Sequence, residues 1–239
     1  MHPAISVILL TTLIGAGQGL LMALVTVQAW AWLALRPAPA TTAFYLVGSL
    51  IALGLLAGGL LASFFHLGRP ERAWRAAAQW RTSWLSREVI VLPAFMGAVA
   101  LYGLLHGLGA SMADAALAVG LAASVLSLAL FVCTGMIYAA VRFLAEWHTP
   151  LTPLNYTLLG SASGFTLAAA LAAALAPPHA AFLAGWALAL TLAGAAGEPT
   201  AGWRNPRRAA GPNPHPGHRN QHPQTRATPA EMSGAPWWK

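Results

Sequence analysis

Two side chains able to take up and release protons sit near the ends of one polar stretch, His66 and Glu88 within Phe64–Ile90, FFHLGRPERAWRAAAQWRTSWLSREVI. Histidine titrates near neutral pH, and a carboxylate sheltered from bulk water holds its proton more tightly than an exposed one, so the two suit proton-coupled chemistry. The stretch holds five of the seven basic and two of the four acidic side chains of the first 197 residues (Arg69, Arg72, Arg75, Arg81, Arg87; Glu71, Glu88). It is the one long non-hydrophobic insertion there, so any chemical site is expected in it. Each residue also has a plain structural account. A histidine at a helix end can snorkel, and a glutamate in a first helical turn is favoured by the helix dipole. Arg69, Arg81 and Arg87 could orient a ligand or dock a partner; anchoring at a membrane interface is the simpler account of such flanking arginines.

The elements that position these residues follow from composition. The 239-residue chain is 57% hydrophobic and 8% charged, against about 25% charged residues in a soluble domain, so it reads as an integral membrane protein of the all-α class. Apolar runs predict about six transmembrane helices, at residues 4–35, 42–66, 87–106, 113–141, 154–176 and 179–197, each near the ~20 residues that cross a bilayer core. Gly68 and Pro70 break the second run, and PERAWRAAAQW then predicts a short interfacial helix with Trp74 and Trp80 at headgroup level. Ser86 is the expected N-cap of the third span. An even number of spans puts the Phe64–Ile90 loop, the loop at 142–153 and both termini on one face. The positive-inside rule assigns that arginine-rich face to the cytoplasm.

Beyond Gly197 the chain changes character, with eight prolines, five arginines, one lysine and three histidines in 42 residues. Residues 198–239 are therefore expected to be a disordered tail. The formal charge of +7 is confined to the loops and this tail, so no nucleic-acid partner is expected. Cys133, the single cysteine, lies in an apolar run and reads as core packing; no disulfide and no iron–sulfur cluster can be built from this chain alone. His106, His148 and His179 fall at span ends or in loops, leaving no facing pair for a haem. No metal-ligand set is expected.

The opening MHPAISVILLTTLIGAGQGLL, the block HLGRPERAWRAAAQWRTSWLSRE, the CTGMIY segment and WHTPLTPLNYTLLGSASG together resemble the membrane anchor subunit of bacterial dimethyl sulfoxide reductase. The resemblance implies a multi-pass subunit of the bacterial cytoplasmic membrane that oxidises menaquinol in anaerobic respiration. Electrons would pass to an iron–sulfur subunit and from there to a molybdopterin catalytic subunit, so no residue of this chain would act on the terminal substrate. It also implies that His66 and Glu88 are the proton acceptors of the quinol site, with Arg69, Arg81 and Arg87 as candidates for orienting the quinol or docking the partner. The family has eight spans, and the likeness stops near Gly197, so the tail reads as a divergent or frameshifted terminus. An anchor of another quinol-linked oxidoreductase, of polysulfide or nitrite reductase type, is the near alternative. A small-molecule transporter is the remote one, since the spans carry almost no internal charge and show no paired broken helices.

Overall fold

A computed structural model describes residues 5–33, 35, 40–65, 70–141 and 147–203. Six long helices follow one another: α1 (Ile5–Trp32), α2 (Thr42–Phe64), α3 (Trp84–Gly107), α4 (Ala113–Ala139), α5 (Leu151–Leu175) and α6 (Pro177–Trp203). Short 3₁₀ segments at Pro70–Gln79 and Ala110–Met112 precede α3 and α4, and the described residues contain no strand. All six long helices are apolar and long enough to span a membrane. The chain is thus a multi-pass helix bundle.

Several boundaries differ from the sequence expectation, for local reasons. Helix α3 starts at Trp84 because Ser83, not Ser86, is its cap: the Ser83 hydroxyl accepts from the Ser86 N–H at 3.4 Å, and Ser86 is buried inside the helix. Helix α5 starts at Leu151, since Pro153 in its first turn removes only an N–H that has no helical partner there. Helix α6 runs to Trp203, past the expected end at Gly197. His66 and Arg69, within 66–69, lie outside the described residues, as do 142–146 and the part of the expected tail from 204 onward.

Helix α1 is the hub, packing on α2, α4 and α5, with α3 against α4 and α6 against α5. Glycines set two of these contacts. In α1 and α5, which run parallel, Gly15 faces Gly160 and Gly19 meets the backbone of Gly160 and Ser161; a Cβ on Gly164 would strike the backbone of Gly19 and Leu20. Gly15-x-x-x-Gly19 thereby packs on Gly160-x-x-x-Gly164, the small-residue pattern that lets membrane helices approach backbone to backbone. Helices α1 and α4 run antiparallel: Gly15 is level with Phe131, Val25 with Gly120, and the Gln28 side-chain amide donates to the Ala113 carbonyl at 2.9 Å. The starts of α1, α3 and α5 and the ends of α2, α4 and α6 hence share one face, that of the arginine-rich loop.

Candidate functional site

At that face Glu88 occupies the first turns of α3 and is turned inward, only 9% exposed. Its Oε1 accepts a 2.6 Å hydrogen bond from the Thr134 hydroxyl of α4. A carboxylate so placed at a membrane surface must be neutralised or strongly bonded, and a single short hydroxyl bond leaves acceptor capacity for a further proton donor. Thr134 reaches Glu88 across the α3–α4 packing, and α4 and α5 close tightly just beyond it. A Cβ on Gly135 would sit 2.5 Å from the Pro153 Cα. One turn along α5, the Tyr156 hydroxyl comes beside Thr134 and donates to the Thr11 carbonyl of α1 at 3.0 Å. Four helices thus converge around the carboxylate.

The loop before α3 is fastened from the same helix. Arg87 donates from Nε to the Trp80 carbonyl and from Nη2 to the Arg81 carbonyl, each at 3.0 Å, while its guanidinium covers the Trp84 ring at 4.2 Å. It closes the turn that returns the polar stretch to α3. Arg81 is exposed, its guanidinium stacked over Trp80 at 5.3 Å. The two arginines proposed as alike from sequence therefore differ: Arg87 braces the loop, whereas Arg81 points its charge to the surface. Replacing Arg87 by alanine is expected to leave two carbonyls without their donor and to loosen residues 70–83. Limited proteolysis checks this; cleavage within 70–83 at the wild-type rate would leave Arg87 without the bracing role.

His148 donates from Nδ1 to the Ala139 carbonyl at 2.7 Å and so caps α4; the carbonyl can only accept, which fixes that tautomer. Cys133 is buried, as its apolar surroundings suggested. At the opposite face His106, in the last turn of α3, stacks on Tyr45 at 4.1 Å and approaches Gln28 Oε1 to 3.2 Å through Nε2. Thr134, Tyr156 and the two glutamines of α1 were not among the residues singled out from sequence. For Gln18 and Gln28 a signal was present: amides inside a membrane-length apolar run are costly and lean towards function.

A family model described as the DMSO reductase anchor subunit (DmsC) matches residues 1–195. The chain is also similar to a subunit of the sulfite dehydrogenase of Allochromatium vinosum, at 60% identity over 206 residues that cover 82% of this chain. It spans 63% of that relative's length. No solved structure matches it.

Proposed function

Because the chain belongs to the family of DMSO reductase anchor subunits, we propose that it is the quinone-reactive anchor of a molybdopterin oxidoreductase in the bacterial cytoplasmic membrane. Its lipid-soluble substrate is menaquinol, and its partners are an iron–sulfur subunit and a molybdopterin catalytic subunit. The observation that carries the reading is the buried Glu88 carboxylate, bonded by Thr134 at the arginine-rich face. Oxidising a quinol breaks two O–H bonds, sends two electrons to the iron–sulfur subunit and leaves two protons. Glu88 takes the first of these; His66, at the other end of the same loop, is the proposed second acceptor. Thr134 holds the carboxylate on the inward side of α3, where it can face the quinol. Arg69 and Arg81 are assigned to docking the partner or holding the quinol head, and Arg87 reaches that role only through the loop it braces.

The relative supports a second direction for the same chemistry. A sulfite dehydrogenase takes electrons from sulfite, so its anchor would hand them to a quinone, with Glu88 here returning protons instead of accepting them. Membranes holding the complex separate the two. Quinol-dependent reduction of dimethyl sulfoxide supports the first, and sulfite-dependent quinone reduction supports the second. Absence of any quinone-linked electron transfer would remove the proposal.

No haem is assigned to the chain. His106 and His148 stand at opposite faces, and one ring nitrogen of each is engaged, His106 Nε2 by Gln28 and His148 Nδ1 by the Ala139 carbonyl. The purified complex is expected to give no stoichiometric b-type bands in a reduced-minus-oxidised spectrum; such bands would make the anchor a cytochrome.

A further inference from the structure

Helices α1 and α4 each carry two polar groups seven residues apart on the stripe by which they face each other, Thr11 and Gln18 on α1, Thr134 and Ser127 on α4. Thr11, Gln18 and Val25 share one stripe of α1, and Thr134, Ser127 and Gly120 share the opposing stripe of α4. The antiparallel register, with Gly15 against Phe131 and Val25 against Gly120, puts Gln18 level with Ser127 at mid-depth. Both are fully buried, and neither the Gln18 amide nitrogen and oxygen nor the Ser127 hydroxyl has a hydrogen-bond partner. Two turns towards the far face, Tyr102 fits against Val25 and Gly120. Its hydroxyl is also buried without a partner, and its ring meets His106 edge-on at 4.7 Å. The near end of the stripe is the Thr134 bond to Glu88.

Polar residues that serve only to hold membrane helices together bond to one another across the interface. These do not, although leaving each unpaired costs free energy. We infer that the α1–α4 seam is a proton path joining Glu88 at one face of the bundle to His106 at the other; this rests on the reading of Glu88 as the quinone-reactive group. Successive polar groups on a stripe are two turns, about 10.5 Å, apart, too far for a direct bond, so internal water held by the amide and hydroxyls bridges them. A proton leaving the quinol hydroxyl passes to Glu88, next to the Thr134 hydroxyl. It then moves by water past Ser127 and Gln18 to the Tyr102 hydroxyl, and His106 releases it at the far face. The electrons leave at the near face, to the iron–sulfur subunit. In the quinone-reducing direction the same path delivers protons inward.

The test uses the complete complex in proteoliposomes with the peripheral subunits outside, a menaquinol analogue as donor and ferricyanide as acceptor, with a pH dye trapped inside. Quinol oxidation is expected to acidify the lumen. Gln18→Leu and Ser127→Ala each keep apolar packing and remove an unpaired group, so assembly and unfolding resistance should match or exceed wild type. Turnover in them should nevertheless fall roughly tenfold or more, without lumenal acidification. Wild-type turnover with wild-type acidification in Gln18→Leu, or proton release only outside by the unmodified complex, overturns the path. Glu88→Gln is the control for the premise: if it oxidises quinol normally, Glu88 is not the proton acceptor and the path loses its starting point, whereas an inactive Glu88→Gln beside a normal Gln18→Leu removes only the path.

Discussion

Glu88→Gln is expected to lower quinone-linked electron transfer by about 10²-fold or more, the usual contribution of a positioned proton acceptor, in a complex that still assembles. The amide has the shape of the carboxylate and keeps an oxygen for the Thr134 hydroxyl, which donates to Oε1 at 2.6 Å. What it loses is the capacity to take a proton and the charge that shortens that bond, the latter worth on the order of 1 kcal/mol. Loss of turnover should therefore far exceed loss of stability. Glu88→Asp keeps the acid but withdraws it from Thr134 by one methylene, so it should recover part of the rate. Turnover with a quinol analogue, alongside native gel electrophoresis of the complex, makes the comparison. Turnover within twofold of wild type in Glu88→Gln would move the proton acceptor elsewhere on the loop, with His66→Ala as the next variant to measure.

The number and places of the membrane helices were legible because the governing signal is one-dimensional: a run of about 20 apolar residues must be bounded by something polar, and here Arg36, the 64–90 loop, Asp114 and Pro177 supply the bounds. Ends were less legible. Ser86 was the expected cap, and only the backbone shows that the Ser83 hydroxyl accepts from the Ser86 N–H instead. Glu88 stood out as an acid opening a span, yet its partner did not. Thr134 sits 46 residues away in a segment that reads as ordinary apolar helix, and hydropathy says nothing about which of its faces meets α3. The rotational setting of a helix that is apolar all round comes from packing, because lipid and core reward the same residues. The arginines make the same point: sequence could group Arg81 and Arg87, but only the turn between Trp80 and Trp84 shows that one reaches back to the loop carbonyls.

That packing is fixed most tightly where α1 crosses α5, and Gly164→Ile is expected to be the most damaging single substitution in the bundle. A Cβ there would collide with the backbone of Gly19 and Leu20, which no rotamer change can relieve. Separating the helices would strip dispersion contacts from the whole Gly15–Gly19 and Gly160–Gly164 crossing, for which lipid offers no hydrophobic compensation. Overpacking usually costs 1–3 kcal/mol, and a backbone clash in a membrane crossing belongs at or above about 3 kcal/mol. The damage should also reach the site, because α5 carries Tyr156, whose hydroxyl ties Thr11 on α1 and comes beside Thr134. Gly97→Ala is the matched contrast: nothing lies within 4 Å of a Cβ at that position. Removing a helical glycine there should be neutral or stabilise by up to ~1 kcal/mol. Unfolding both variants in mixed micelles with increasing SDS gives the comparison. Equal midpoints for Gly164→Ile and Gly97→Ala would mean that the two glycine pairs do not set the α1–α5 crossing, and the Thr134 and Tyr156 geometry around Glu88 would need another support.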